Sequence, residues 1–319
     1  METKQQYRNL CEVEPSVPLF HQAWWLDAVC GEDGWSVATY IRDGKITAAL
    51  PYIMKKKFGL KQIGQPRFTQ TLGVWFTPSK AKYTKRIGKE KEVVFSLIDS
   101  LPYHHIFFQG FHHNYDNWLP FYFRGFEQTT KYSYVIKDLS DLDSIWGDMS
   151  VDVRRDVRRS KDALKVVNDI SASEFYKIVH KTYSRQGMSP PYSEARFIKL
   201  AEAVFTHGSG KMFAAVDSEA NIHAVSFIVW DKHCAYYLIG GGDPEFRNSG
   251  AATLCIWEAI KFSSTVTNSF DFEGSMVENI ERYFRGFGGN LQPYYRIYRF
   301  QNVLIGLAFY FRRYFTKRL

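Results

Sequence analysis

The pentapeptide Tyr-Phe-Arg-Gly-Phe stands at 122–126 and again at 283–287. An internal repeat constrains a fold more tightly than composition does, because one supersecondary plan must then serve twice. Its residue types are common in a chain that is 17% aromatic, so the flanks must decide whether the match is chance. Upstream of the copies stand "IFFQGF" (106–111) and "FDFEGS" (270–275), which set Gly110 opposite Gly274; downstream, Tyr134 and Ile136 fall opposite Tyr295 and Ile297. A second block, "GWSVATYIRDGKITAALPYI" (34–53), aligns without a gap on "GKMFAAVDSEANIHAVSFIV" (210–229), matching Gly34 with Gly210, Ala38 with Ala214, Ile46 with Ile222 and Ala48 with Ala224.

Both blocks read as strand, polar turn, strand, with Asp43-Gly44 marking the first turn. Each is preceded by a segment with helical apolar spacing, 21–30 and 194–205, and followed by another, 90–100 and 251–263. The pattern predicts one plan written twice, over 1–137 and 138–300, with a tail at 301–319. A length of 319 residues fits two domains of ordinary size.

Hydrophobic content of 45% excludes a largely disordered chain. Cys11, Cys30, Cys234 and Cys255 lie far apart with no C-x-x-C pair, and the N-terminus lacks a signal-peptide core, which together predict a reduced, cytoplasmic protein. The net charge of +8 favours polyanionic partners such as nucleotides, RNA or an anionic membrane face. No apolar run reaches the roughly 20 residues that span a bilayer.

The copies diverge where chemistry would sit. Opposite Phe107 and Gln109 stand Asp271 and Glu273, two carboxylates at a strand end, which period-2 alternation would place on one face. Such a pair suits proton abstraction, although a carboxylate there also suits capping a turn or a helix near Ser275 and Glu278. Between the strand 233–240 and the helix 251–263 runs "GGGDPEFRNSGAA", where Gly250, Ala251 and Ala252 open the helix with bare backbone N–H groups able to meet phosphate oxygens. The first copy is read as placing "KRIGKEKEV" (85–93), with bulky Lys89, Glu90 and Lys91, at the same turn.

The run "RNSGAA" (247–252), after a strand and opening a helix, resembles the pyrophosphate-binding turn of the GNAT acyltransferase superfamily. The tandem plan, the basic helix "VDVRRDVRRSKDALKV" (151–166), "FDFEGS" and "IERYFRGFGG" (280–289) resemble more specifically the FemABX-like branch, relatives of the peptidoglycan-bridge aminoacyltransferases. The resemblance implies an α/β chain of two tandem GNAT-like domains, each a mixed sheet flanked by helices, with a degenerate donor site in the first and the donor site and catalysis in the second. It implies an acyl-CoA donor, acetyl-CoA first, held by Gly241, Arg247, Asn248, Ser249, Gly250 and Ala251. The acceptor would be an amine on a phosphorylated or lipid-linked envelope precursor or an amino sugar. FemABX enzymes proper take aminoacyl-tRNA, and Ala252 replaces the usual second glycine, so a tRNA donor is the alternative; a non-catalytic pair binding nucleotide or membrane is a third reading.

Within this reading Glu273 is the first choice of base and Asp271 the second, with Tyr283 a proton donor to a leaving thiolate, although aromatic residues at such spacings more often belong to cores. The basic helix sets Val153, Val157 and Leu164 on one face and cations around the rest, partly neutralised by Asp152, Asp156 and Asp162. It serves either as a solvated helix or as a phosphate grip; Arg154 and Arg158, with Arg285 of the second pentapeptide, are the acceptor-binding candidates. His104, His105, His112 and His113 lack zinc-site spacing, and no metal is expected. The tail 302–319 joins an apolar run to Arg312, Arg313, Lys317 and Arg318, which suits a helix on the inner, anionic face of a membrane as well as one packed on the domain.

Overall fold

Polar turns between apolar strands fold as the sequence predicts. The computed structural model describes residues 2–274 and 276–307, and the chain divides into two units, 1–131 with 294–319, and 132–293. The first unit holds α1 (Glu2–Val13), α2 (Ala23–Cys30), β1 (Ser36–Arg42), β2 (Lys45–Lys57), β3 (Leu60–Gly64), β4 (Trp75–Phe76), α3 (Tyr83–Asp99), β5 (Ile106–Gly110) and α4 (Leu119–Phe123), and it ends inside β6 (Glu127–Ile136). The tight β1–β2 turn takes Asp43 and Gly44 at φ 52° and 73°, the left-handed pair of a two-residue hairpin. Val93, Val94, Leu97 and Ile98 of α3 bury a stripe against Leu50, Ile63 and Phe107 of the sheet.

The second unit holds α5 (Leu142–Asp148), α6 (Val151–Ala163), β7 (Lys165–Val167), α7 (Ala172–Ser184), α8 (Glu194–Thr206), β8 (Gly210–Val216), β9 (Ile222–Trp230), β10 (Ala235–Gly242), α9 (Ala251–Ser263), β11 (Phe270–Asp271) and α10 (Glu278–Arg285), and it ends inside β12 (Asn290–Phe300). Ser150 caps α6, and a full capping box of Ser171 and Glu174 opens α7. Helix α9 is apolar on nearly every face and is buried accordingly, with Leu254, Cys255, Ile256 and Ile260 in the core beside Phe213 and Ile228.

The two units repeat one topology. In the first, β1-β2-β3-β5 run in that order, with β3 antiparallel to β2 and parallel to β5; in the second, β8-β9-β10-β11 do the same, with β7 added at the β8 edge. The last strand of each repeat then pairs outside its own repeat. Val135 and Ile136 of β6 pair with Asp271 and Phe270 of β11 in the second unit, and Arg296–Phe300 of β12 pair with β5 in the first. This exchange moves the unit boundaries from the expected 137/138 and 300/301 to 131/132 and 293/294. Local periodicity finds strands but does not say which strand they pair with.

The pairing also resets the alignment. Ile136 lies opposite Phe270 and Phe300 opposite Ile106, so Ile136 corresponds to Phe300 and not to Ile297. The segment 85–93, expected at the counterpart of the phosphate turn, lies inside α3; the first unit has a loop and the two-residue β4 before that helix instead. Residues 303–307 are helical, whereas the rest of the expected tail helix, 308–319, lies outside the described residues, as does Ser275.

Candidate functional site

Strand β10 and helix α9 of the second unit enclose a cleft of about 540 Å³ lined by Asp156, Arg159, Thr182, Arg185, His223, Gly242, Asp243, the turn 246–252, Thr253 and Tyr283. Its size is that of a small-molecule site. Gly250 caps α9 in the left-handed region, φ 75°, with no side-chain cap. The N–H of Ala251 meets Ser249 Oγ at 3.3 Å, while those of Ala252 and Thr253 have no acceptor among the described residues. Free N–H groups at the positive end of a helix dipole suit phosphate oxygens. Arg185 and Arg247, both exposed, add charge without a carboxylate partner among the described residues.

Helix α6 fixes that turn from behind. Arg159 Nη2 donates to Asn248 O at 2.8 Å and Ser160 Oγ to Ser249 O at 2.7 Å, so these carbonyls point at α6 and not into the cleft. Gly250 is required for that approach as well as for its φ, because a Cβ there would lie 2.3 Å from Ser160 Oγ. The cleft-facing cation of α6 is therefore Arg159. Arg154 and Arg158, the expected pair, turn to α5, where Arg154 donates to Gly147 O at 3.1 Å and Arg158 sits 5.6 Å from the Trp146 ring centre. Arg285 is held by Glu281 at 3.0 Å. Gly241 packs on α7, with Val179 Cα 3.0 Å from where a Cβ would be; Gly242, its neighbour, lines the cleft, its N–H donating to Thr182 Oγ1 at 2.8 Å.

Two acidic groups stiffen the cleft wall. Burial would raise the Asp243 carboxyl, but Lys181 Nζ at 2.5 Å and the Glu245 N–H hold it below its ordinary value. His223 is buried, stacks on Phe246 at 3.9 Å, and its Nε2 lies 3.0 Å from Asp217 Oδ2, while its Nδ1 is shielded and has no partner among the described residues. Hydrogen bonds from Asn221 and then His223 keep Asp217 ionised well below the usual carboxylate range. Sequence reasoning missed His223 and Asp217, yet the gapless hairpin alignment sets them opposite Thr47 and Ile41, a difference of the same kind as the one that exposed Glu273.

The carboxylates lie where β10 and β11 part. These strands pair only at Ala235–Phe270 and Tyr236–Asp271; two residues farther on, β10 bulges between Tyr237 and Ile239, taking Leu238 out of the ladder with β9. The other chain turns away at Glu273 and Gly274, φ 59° and 66°. The alternation expected to put Asp271 and Glu273 on one face therefore ends at Asp271. They still meet: the Glu273 N–H donates to Asp271 Oδ1 at 2.7 Å, and Ser133 Oγ donates to the same oxygen. Burial pushes Asp271 up to about 6 despite those two bonds. Burial, and then the charge of Asp271, push Glu273 well above its ordinary value, and its Oε2 is shielded with no partner among the described residues. Such a pair titrates as one system, and one member holds a proton where an ordinary carboxyl has lost it.

Tyr283, on α10, meets Thr253 Oγ1 at 3.3 Å and lines the cleft; burial, then Tyr237, raise its phenol, so it keeps its proton at neutral pH.

Residues 149–279 match the acetyltransferase (GNAT) domain family. A search of curated protein sequences finds no match. Among solved structures, FemX is similar over 92% of this chain and 95% of its own at 13% identity, with a TM-score of 0.68. L-PGS from Bacillus licheniformis follows over 94% and 92%, at 12% identity and a TM-score of 0.55. The C-terminal domain of a putative lysylphosphatidylglycerol synthetase from Agrobacterium fabrum covers 94% and 92%, at 11% and 0.53. At such identities the likeness is one of fold. Residues 149–279 thus carry a match to the acetyltransferase (GNAT) domain family, and the chain as a whole has the fold of FemX.

Proposed function

We propose that the chain is an N-acyltransferase that takes an acyl group from acyl-CoA, acetyl-CoA in the simplest case, and transfers it to an amine on a cell-envelope precursor or amino sugar. The observation that carries this is the cleft at the start of α9, where bare N–H groups, with Arg185 and Arg247, which have no carboxylate partner among the described residues, suit a pyrophosphate. From Gly242 at the cleft back to the bulge at Leu238 is four residues of β10, about 13 Å of strand, a span that the extended arm of a thioester donor covers. The acyl carbonyl would then lie where β10 and β11 part. There the N–H of Leu238, a residue outside the β9 ladder, would be the donor to a developing oxyanion.

In its ionised form Glu273 accepts the proton that the acceptor amine gives up as its nitrogen bonds to the carbonyl carbon; the tetrahedral adduct then expels the thiolate, which takes a proton from Tyr283. A carboxyl raised by burial is a stronger base than an exposed one, which suits the first step. FemX and lysylphosphatidylglycerol synthetases are similar in fold, and an envelope acceptor is the reading that joins that likeness to the basic surface of this chain.

Calorimetric titration with acetyl-CoA tests the donor. Gly250→Trp would strike α6, so the informative variants are Ala252→Trp, which fills the cleft from an exposed position, and Arg247→Glu. Binding by the parent that falls more than tenfold in both variants supports the reading. No binding of acetyl-CoA or longer acyl-CoAs by the parent moves the donor to aminoacyl-tRNA.

A further inference from the structure

The β2–β3 hairpin of the first unit extends past its neighbours. Strand β1 begins opposite Tyr52, so beyond that point β2 pairs only with β3, and β5 reaches β3 only at Gln62 and Ile63. Residues 54–61, "MKKKFGLK", therefore project past the neighbouring strands, with Lys61 at the base bonded to His105. All but Leu60, which is half-buried, are exposed. The apex is Phe58-Gly59, both in the left-handed region at φ 50° and 76°, a turn whose first position favours Asn, Asp or Gly. Phe58 is 90% exposed. It is flanked by Lys55, Lys56, Lys57 and Lys61, and no acidic residue lies in the hairpin. A bulky apolar residue set in an unfavourable backbone conformation, in water, contributes nothing to the core.

The same end of the sheet carries more of this chemistry. The His105 N–H donates to Lys61 O at 2.8 Å, and the Gln301 N–H to His105 O at 2.9 Å, which sets the start of the C-terminal segment beside the hairpin base. There Val303 and Leu304 are 78% and 72% exposed, and Tyr103 is 62% exposed. The chain beyond adds Arg312, Arg313, Lys317 and Arg318 in sequence. The equivalent hairpin of the second unit, between β9 and β10, turns through Asp231-Lys232-His233-Cys234, with Asp231 Oδ1 accepting the N–H groups of His233 and Cys234, and has no apolar apex. The projection belongs to one copy only.

We propose that this end of the first unit docks on an anionic lipid bilayer, with Phe58 inserted among the acyl chains and the four lysines at the headgroups. Exposed apolar side chains ringed by lysines match an interface that is oily beneath and negatively charged above. A nucleic acid would satisfy the lysines but not Phe58, Val303 and Leu304 together.

Flotation of the full chain with vesicles of phosphatidylcholine, with and without 30% phosphatidylglycerol, tests this. The parent is expected to float with the anionic vesicles, to be released by salt, and to stay behind with neutral ones. Phe58→Asp and the double variant Lys56→Glu/Lys57→Glu should each lower partitioning more than tenfold, with thermal unfolding unchanged. An environment-sensitive fluorophore on Phe58→Cys should shift to the blue on anionic vesicles only. The proposal fails if the parent ignores anionic vesicles, or if both variants float as the parent does, including the case in which only deletion of 308–319 abolishes binding. It fails equally if mixed tRNA binds through the same lysines and displaces the protein from vesicles while the fluorophore stays in water. Acetyl-CoA titration is independent of every one of these outcomes.

Discussion

Gln109 and Glu273 stand at matching places in the two units and differ by one functional group. In the first unit Gln109 Nε2 donates to Pro51 O at 3.0 Å and Gly64 O at 3.1 Å, and the side chain is fully buried. In the second, the Glu273 side chain has no such bonds among the described residues, its Oε2 is shielded, and a second carboxylate lies beside it. An amide that locks two strands in one unit is answered in the other by a buried acid that holds its proton well above the ordinary carboxyl value. Gln109 Oε1 is likewise shielded with no partner among the described residues, so what separates the two positions is the ionisable group and its carboxylate neighbour.

The largest effect that would break this comparison is on turnover. Glu273→Gln, the residue the first unit already carries, should lower kcat by about 10²–10³-fold with donor affinity unchanged; near-normal turnover removes Glu273 from the mechanism. The reverse change, Gln109→Glu, sets a carboxylate against two carbonyls and should cost about 3 kcal/mol in denaturant unfolding. A neutral result would mean that the first unit tolerates the charge and that the difference carries no meaning. The smallest effect sharpens the comparison through pH. The folded Glu273 carboxyl is raised above its unfolded value of about 4.3. The folded state therefore keeps a proton that the unfolded state releases, and stability is lost as pH climbs from that value toward the raised one. Glu273→Gln should then exceed the parent in stability at pH 7 to 8 by on the order of 1 kcal/mol, and an identical pH profile would contradict the burial argument.

Much of this was legible in the sequence because the chain carries its own control. Setting one copy on the other singled out Asp271, Glu273 and the turn 247–252, and the same comparison held His223 opposite Thr47 unnoticed. Docking was not legible. Helix α6 has cations on several faces, and Arg159, not Arg154 or Arg158, reaches the turn because Ser160 seats against Gly250. Nor does periodicity reveal that Asp271 ends its strand, since the cause is the left-handed backbone at Glu273 and Gly274, where a Cβ would lie 2.1 Å from Tyr132 O.

The trading of last strands has a consequence for how the molecule comes into being. As the chain leaves the ribosome, the first unit waits for a strand that is made only after the whole second repeat, so its sheet keeps an open edge beside β5 until residue 300 emerges. A single repeat cut from this chain would carry both an unpaired edge and an unpaired final strand, the complementary surfaces through which two copies exchange strands.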